Sequence, residues 1–570
     1  MTDRPGAGAL PPTSAVPLAW LAIALLAGIA WLPWMAPPAV RYSLLASAAF
    51  FAVWLLVLKK RRPEALVGRV IIRRPHWVQT IAHSSIYLYW GLYVDAVYPQ
   101  VPLILAQVVF VYALDLLLSW SRGRAWQIGF GPIPIIGSTN LFLWFHSEVY
   151  YLQLAMVAAA FLSREFLRWR REGQDIHIFN PSGFALSVAS VGLIITGTTE
   201  WSHGSFIATT LGQAPYMYEW LFSAGLVVQL LFGVNLVTMS AAITVFGGSY
   251  LVHALTGNWP LENDHIPIAV FLGMHLLITD PVTSPRSYGG KAVFGVLYGL
   301  AVFPLYTGLL AISTPSFYDK LLQVPVLNAL VPLVERVGRH LRWPGWRWSP
   351  KRTNLVHMGI WAVVFFGVMR EPLKNHPGNR PGYWEQRCSP TDERACHNMV
   401  TLYENVCKRG VGDACVLLAD HFMEGRLIPH DDTRAAGFYE LACKAGTARG
   451  CGMLAVAHEQ GKGGLTANPA NAAILRERAC ELGDAAACTE QAARLVDGRG
   501  VPRDPARAAA LLEAACRRGL PEPCVAVGYM YEAGMGGIEV DGNRARSLYD
   551  EACRRGFQAG CERRDQLRAP

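Results

Sequence analysis

The stretch VPLILAQVVFVYALDLLLSW, residues 101–120, contains a single charged side chain, that of Asp115, within 20 residues. A helix of about 20 mostly apolar residues matches the roughly 30 Å thickness of the hydrocarbon core of a bilayer. The stretch therefore predicts a membrane-spanning helix, and it indicates that the larger part of the chain is a membrane protein.

Similar apolar runs recur on both sides of this stretch, from residue 16 to about Pro372, and none occurs after it. The chain of 570 residues is too long for one ordinary domain, and its 52% hydrophobic content is an average over these two unlike parts. We predict about 13 spans by length and hydropathy. They are 16–36, 42–58, 78–97, 101–120, 132–147, 149–168, 181–198, 217–236, 238–255, 266–279, 292–312, 320–338 and 354–370.

Lys and Arg are concentrated in the segments 59–74, 121–124, 164–171 and 334–352. With the spans above, all four segments fall on one side, which the positive-inside rule makes the cytoplasm. The N-terminus is then cytoplasmic, and everything after about residue 371 lies outside. The net charge of +9 is explained by these loops and does not require a nucleic-acid surface.

All 12 cysteines lie in the second part and form six C-x7-C pairs. The pairs are Cys388 with Cys396, Cys407 with Cys415, Cys443 with Cys451, Cys480 with Cys488, Cys516 with Cys524 and Cys553 with Cys561. From Cys407 onward the pairs recur every 36 or 37 residues, which is a solenoid period. Ala-rich stretches between the pairs, with Asp504 as an N-cap before Pro505, predict one helical hairpin per repeat. Each pair can close a short disulfide loop, and the alternative, a metal site, usually needs closer spacing and His ligands.

This pattern resembles the cysteine-rich bacterial Sel-like repeats, relatives of the tetratricopeptide fold, over about residues 388–565. The resemblance implies one disulfide in each repeat and a curved α-solenoid that binds a protein partner and has no chemistry of its own. An extracytoplasmic position agrees with it, because disulfides persist in oxidising compartments.

Two polar breaks interrupt the apolar part, Asn180-Pro181 in DIHIFNPSGFALSV and Asp280-Pro281 in ITDPVTSPRSYGGK. Asn or Asp before Pro caps the first turn of a helix, so both pairs can simply be caps at the membrane interface. Irregular backbone at membrane depth is otherwise tolerated only where it is buried in protein or lines a cavity. Free N–H groups at such breaks would suit a phosphate or a polar ring.

The same two segments resemble motifs of the NqrB/RnfD family, membrane subunits of the sodium-pumping NADH:quinone oxidoreductase and of the Rnf complex. The resemblance extends more loosely over about 70–312. It implies flavin or quinone chemistry within the helical bundle, with Asn180, Pro181, Asp280, Pro281 and Thr283 as candidate cofactor-binding residues.

In that family, FMN is esterified through its phosphate to a Thr in an outward loop, in a pattern close to D-x-x-[S/T]-G-A-T. The matching loop is EWSHGSFIATTLGQAP, in which Ala208-Thr209 aligns with the Ala-Thr of the pattern. His203, Phe206 and Ile207 replace three of its other residues. Thr209 is thus a candidate anchor for covalent FMN, and a Thr-rich loop without a cofactor is the alternative.

Other polar groups within the apolar runs have two interpretations each. Insertion of Asp115 at the centre of a membrane helix costs about 2.5–3.5 kcal/mol of free energy, so its side chain is expected to face the bundle interior. It would serve an ion or proton path, or be a packing carboxylate near the end of its span. His83, His253 and His275 are haem ligands in principle. Their spacing agrees better with histidines that pack in the core or at the membrane interface.

Together these observations predict an all-α protein: a polytopic transmembrane bundle followed by an extracytoplasmic, disulfide-stapled α-solenoid. The predicted segments are 1–75, 76–315, 316–371, a linker 372–387 and the repeats 388–570. We expect a multi-pass protein of the bacterial inner membrane, with its repeats in the periplasm.

The expected function is that of a membrane subunit of an electron-transport complex that also contains other membrane subunits. The alternative is a non-redox transporter or scaffold that displays its repeats. The chain has no G-x-G-x-x-G dinucleotide motif in a strand–helix setting, so an NADH site would belong to a partner. Whether the chain is itself an enzyme, and its electron donor, acceptor and coupled ion, are left open.

Overall fold

A computed structural model describes residues 15–62, 68–171, 173–212, 214–261, 264–312, 314–341 and 349–567. The chain divides into two compact units, Met1–His376 and Pro377–Pro570. Part of the segment interpreted as a linker, 377–387, belongs to the second unit and includes a short helix.

The first unit is a bundle of helices joined by short connections. Its helices are α1 (Ala15–Ile29), α2 (Pro38–Arg61), α3 (Arg74–Gly91), α4 (Gln100–Ser121), α5 (Pro132–Asn140), α6 (Tyr150–Phe166), α7 (Pro181–Thr196), α8 (Gly204–Leu211), α9 (Met217–Phe232), α10 (Asn235–Thr256), α11 (Ile268–Leu276), α12 (Tyr288–Ala311), α13 (Asp319–His340), α14 (Pro350–Val364) and α15 (Arg370–Lys374). A π-helical turn, Phe365–Met369, joins α14 to α15.

Six helical segments in the described residues are long and apolar enough to cross a membrane, fewer than the roughly 13 predicted. They are Pro38–Arg61, Asp95–Ser121, Asn235–Thr256, Tyr288–Ala311, Ser316–His340 and Pro350–Leu373. Val16–Ile29, Pro181–Thr196 and Met217–Phe232 are apolar but shorter.

The clearest departure from the predicted spans is in 132–147 and 266–279. Their helices α5 and α11 have nine residues each, and a helix of that length rises only about 14 Å. Helix α5 begins at Pro132 and α11 directly after Pro267, and each is followed by non-helical chain. Neither therefore crosses a bilayer as one continuous helix.

The all-α prediction is confirmed, and the described part of the first unit adds four short strands to its helices. β1 (Gly68–Val70) pairs in parallel with β2 (Trp126–Ile128). β3 (Arg168–Arg171) and β4 (Gln174–His177) form an antiparallel hairpin. All four lie in or next to the basic loops, where paired strands satisfy backbone groups that no helix uses.

Helices α3–α7 and α9–α13 form two similar sets of five. In each set the third helix is the nine-residue one, and it packs against the first and fifth helices of its own set. Between the sets, α3 packs on α9 and α7 packs on α13. In each set a glycine and a histidine bring the first and third helices into close contact, with Gly137 of α5 against His83 of α3 and Gly225 of α9 against His275 of α11. The bundle is thus internally duplicated, a feature that the sequence interpretation missed.

The second unit is a stack of helical hairpins. Its helices are α16 (Pro381–Glu385), α17 (Glu393–Lys408), α18 (Gly412–Glu424), α19 (Asp432–Lys444), α20 (Ala448–Gln460), α21 (Pro469–Glu481), α22 (Ala485–Asp497), α23 (Pro505–Arg517), α24 (Pro521–Ala533), α25 (Gly542–Arg554) and α26 (Gln558–Gln566). The hairpin prediction is confirmed, and the Asp504 carboxylate accepts the N–H of Arg507 as the predicted cap.

All six C-x7-C pairs are disulfides within their own pair, so the predicted framework is confirmed and the metal-site alternative is wrong. The bridges join Cys388 to Cys396, Cys407 to Cys415, Cys443 to Cys451, Cys480 to Cys488, Cys516 to Cys524 and Cys553 to Cys561. From Cys407 onward, each bridge connects the last turn of one helix to the first turn of the next, with Cα atoms 4.5–4.8 Å apart.

Side chains connect successive repeats to one another. Arg507 of α23 pairs with Glu477 of α21 at 2.7 Å. The Arg518 guanidinium, just after α23, donates to the carbonyl of Glu481 at 2.9 Å. The disulfides therefore fix each hairpin at its corner, and these arginines fix one hairpin to the next.

Candidate functional site

The two helix breaks are adjacent in the structure and are joined through Asn180. Its side-chain oxygen caps α7 by accepting the N–H of Gly183, and its side-chain amide donates to the carbonyl of Leu277, both at 2.9 Å. Asn328 completes the link: its side-chain oxygen accepts the Asn180 N–H, and its amide donates to the Thr283 carbonyl. Segments that are distant in sequence are thus fixed to each other.

Asp280 does not cap a helix, contrary to the interfacial-cap interpretation of the second break. Its carboxylate accepts the N–H of Val282 at 3.0 Å and the hydroxyl of Thr283 at 3.1 Å, and so holds a turn. The cap of α12 is Ser287, whose hydroxyl accepts the N–H of Gly290. Asp280 also contacts the His177 ring nitrogen at 3.3 Å.

A cavity of about 520 Å³ lies beside the two breaks. Asn180, Pro181, Asp280 and Pro281, four of the candidate cofactor-binding residues, line it. The fifth candidate from the breaks, Thr283, does not line it but holds Asp280 in place. Four candidate residues from the two breaks thus share one cavity wall.

Charged side chains from the basic loops form much of the rest of the wall. Arg164 pairs with Asp115 at 2.5 Å, and Arg124 pairs with Glu165 at 2.5 Å. Asp115 thus neutralises an arginine near the end of its helix, which favours its packing interpretation. Arg73, Arg168, His76 and His177 line the same cavity. Its wall therefore offers many hydrogen-bond donors beside three carboxylates, a donor set that suits a phosphate or a ring with carbonyl oxygens.

The arginines were missed as site residues because the basic segments 59–74, 121–124 and 164–171 were interpreted only as topological signals, and His76 and His177 lie just outside those segments. One clue was available: DIH at 175–177 places an acid and a histidine directly before the first break.

Thr209 is not among the residues that line this cavity. It lies in α8, so the segment matched to the FMN pattern is helical over Gly204–Leu211. Its exposed hydroxyl donates to the carbonyls of Ser205 and Phe206. His203, which stands where the pattern has Asp, stacks on His146 with ring centres 4.0 Å apart.

The three histidines of the apolar runs, His83, His253 and His275, have different ring contacts in the structure. His83 and His275 are buried, and the His275 ring lies within hydrogen-bond distance of the Phe271 carbonyl at 2.8 Å. His253 stacks on Trp259 at 3.9 Å. Within the part of the chain that the structure describes, no group of three His, Cys, Asp or Glu side chains could hold a metal ion.

Comparison with known proteins identifies the repeats. The family model of the Sel1 repeat matches residues 412–447, 448–484, 485–520 and 524–557. The second unit thus contains Sel1 repeats, as the cysteine period predicted. No curated protein matches the chain. The family matches lie outside the first unit, so its resemblance to NqrB/RnfD stays a prediction.

Solved structures of repeat proteins are also similar to this chain. A Sel1 repeat protein from Oxalobacter formigenes is 22% identical, with 31% of this chain and 74% of that chain covered and a TM-score of 0.26. A protective antigen of uropathogenic Escherichia coli with an SLR fold is 13% identical, with 53% and 64% covered and a TM-score of 0.26. A putative Sel1 repeat protein from Klebsiella pneumoniae is 21% identical, with 33% and 90% covered and a TM-score of 0.20.

Proposed function

We propose that this chain is a bacterial inner-membrane subunit of an electron-transport complex. Its first unit would bind a flavin or quinone in the cavity at the two breaks, and its periplasmic Sel1 repeats would dock a protein partner. The observation that carries this proposal is the joining of the two NqrB/RnfD-like segments at one cavity through Asn180. A volume of about 520 Å³ suits a small-molecule cofactor.

The residues of the cavity fit either cofactor in different ways. His76, His177 and the arginines can donate hydrogen bonds to the carbonyl oxygens of a quinone or a flavin ring. Arg73 and Arg168 can also bind the phosphate of FMN through charge-assisted hydrogen bonds. Asp280 would orient the His177 ring. A bound flavin or quinone would supply the redox chemistry, which none of these side chains provides.

The test of the cofactor is a purification from the native host, where any flavin transferase is present. We expect denatured protein to release flavin or quinone, identified by absorbance and mass. In-gel flavin fluorescence that is lost in Thr209→Val and kept in Thr210→Val would make Thr209 the covalent anchor. Released cofactor without in-gel fluorescence would leave the cavity as the site. A colourless protein that releases neither would contradict the redox function.

A second candidate, a non-redox transporter, is favoured by the duplicated bundle. Two similar sets of helices, each with an interrupted third member, are typical of secondary transporters, where unwound chain lines a substrate site. Fold alone does not assign the activity. Solute uptake by colourless protein in liposomes would favour this candidate over the first.

The repeats support a protein partner. Sel1 repeats form solenoids whose long surfaces bind proteins, and the ion pairs and disulfides of this unit keep that surface rigid. The proposed partner is another subunit or a periplasmic protein.

The proposed topology is supported by contacts among the basic segments. Arg124 at the end of α4 pairs with Glu165 at the end of α6, and Arg171 donates to the Ser284 carbonyl before α12. Three of the connections therefore lie together, as they must if they share one side of the membrane.

We expect a C-terminal alkaline phosphatase fusion to be active and a C-terminal fluorescent-protein fusion to be dark, because the repeats would be periplasmic. Fusions placed in the predicted cytoplasmic loop near residue 123 should give the reverse pattern and serve as the control. A fluorescent, phosphatase-negative C-terminal fusion would contradict the topology.

A further inference from the structure

A second cavity, also of about 520 Å³, lies where the ends of α12, α13 and α14 meet. Its lining includes Arg286, Lys291 and Arg339, together with Leu341 and Pro350. It shares no lining residue with the cavity at the breaks. We call it the basic pocket.

The basic pocket exists because two helices touch through glycine. A Cβ on Gly289 would lie 2.2 Å from the carbonyl oxygen of Gly338, so no other residue fits without moving the backbone. Gly289 and Gly338 both line the pocket, so no side chain from either position fills it.

Positive charge is in excess at this pocket. Glu335 is the acid that faces it, and its carboxylate already accepts the N–H groups of Arg286 and Ser287 and pairs with Arg339 at 3.3 Å. Arg171 lies close enough that burial and repulsion from Arg286 and Arg339 lower its pKa. Three of the described residues that line the pocket are cationic, Arg286, Lys291 and Arg339, and a phosphodiester is an anion that such donors bind.

An apolar surface leads directly into the pocket. Along α13, exposed side chains follow one another at spacings of three and four residues, which places them on one face. They are Val326, Leu330, Leu333, Val337 and Leu341, each between 40% and 59% exposed, and Leu341 itself lines the pocket. A free phosphate ion would not contact this apolar surface, whereas the acyl chains of a lipid would pack along it.

We propose that the basic pocket binds the phosphodiester headgroup of an anionic phospholipid, whose acyl chains lie along the exposed face of α13. Basic pockets between helices on the cytoplasmic side are the kind of site that anionic headgroups fill. The site rests on the position of the first unit in a bilayer and not on the presence of flavin or quinone.

The experiment is native mass spectrometry of the full chain in detergent, titrated with phosphatidylglycerol, with phosphatidylcholine or with inorganic phosphate. We expect phosphatidylglycerol to be retained far better than phosphatidylcholine, and millimolar inorganic phosphate to compete only weakly. Since a hydrogen bond to a charged group contributes about 1.5 kcal/mol, the affinity should fall roughly tenfold for Arg286→Gln and roughly 100-fold for Arg286→Gln with Arg339→Gln.

The matched control is Lys59→Gln with Lys60→Gln, which removes two exposed charges from the end of α2 on the same proposed side. It should bind phosphatidylglycerol like the unchanged protein. Equal losses in the control and the pocket variants, or equal retention of the two lipids by the unchanged protein, would overturn the proposal. Full displacement by inorganic phosphate would overturn the lipid assignment and leave a phosphate site. The cofactor spectrum reports on the cavity at the breaks, so a failure of the lipid proposal can be told apart from a failure of the proposed redox function.

Discussion

Reduction of the six disulfides is expected to unfold the repeat unit while the first unit stays folded. Each bridge closes a short loop and contributes roughly 2.5 kcal/mol on the chain-entropy model. Six such contributions are comparable to the whole stability of a typical domain, about 5–15 kcal/mol. The first unit has no cysteine and therefore serves as an internal control.

The measurement is hydrogen exchange of the full chain, read by mass spectrometry with and without reductant. Amides in α17–α26 should lose their protection, and those in α4 and α12 should keep it. Alkylation must show that all twelve thiols are free. Persistent protection of the repeats after complete reduction would show that the hairpins are stable without their bridges.

Removal of a single disulfide should change hydrogen exchange over a region that depends on the position of that disulfide in the stack of repeats. Cys480→Ser with Cys488→Ser removes a fully buried bridge in the middle, so α21, α22 and their neighbours on both sides should exchange faster. Cys388→Ser with Cys396→Ser removes the first bridge, and its effect should stop near α17. This difference is expected because each repeat is stabilised by its interfaces with the neighbouring repeats.

The repeats could be predicted from the sequence because their determinants are local. A disulfide between Cys516 and Cys524, or a cap by Asp504, involves residues within one hairpin and is written directly in their spacing. The 36- or 37-residue period then repeats the same unit along the chain. No distant contact is needed to recognise it.

The first unit was less predictable for an equally physical reason. Apolar composition shows that a segment is buried or in lipid, but not how far it stays helical, so the nine-residue helices α5 and α11 were taken as full spans. The interior of the bundle is also duplicated without an evident sequence repeat, because packing requires only small or apolar residues at equivalent positions.

The candidate site was half predictable. Asn180-Pro181 and Asp280-Pro281 stand out because they interrupt apolar runs. The pairing of Arg164 with Asp115, 49 positions apart, depends on how α4 and α6 pack, and no local pattern encodes it. A basic loop can set topology and line a cavity at once, and sequence alone reports only the first role.

Asn180→Ala is expected to have the largest effect of any single change in the first unit. The variant would leave two buried backbone groups, the N–H of Gly183 and the carbonyl of Leu277, without their side-chain partner. Each unsatisfied buried group costs about 1–3 kcal/mol, so the loss should be about 2–6 kcal/mol. The direct hydrogen bond between the two breaks would be lost, and the link through Asn328 would remain.

Two variants separate these effects. Asn180→Asp can still accept the N–H of Gly183 and cap α7, but it cannot donate to Leu277 and would place a charge against that carbonyl. We expect it to keep the helix and lose the bound cofactor. Asn375→Ala, which removes only an exposed hydrogen bond to the Glu371 carbonyl, should leave both properties unchanged.

The measurements are the thermal midpoint in detergent and the amount of flavin or quinone released per protein. Loss of cofactor from Asn180→Asp with protection of α7 retained in hydrogen exchange would assign the link between the breaks to ligand binding. Cofactor retained in full by both Asn180 variants would contradict a role in ligand binding for the direct bond between the breaks, because both variants lose the donation to the Leu277 carbonyl.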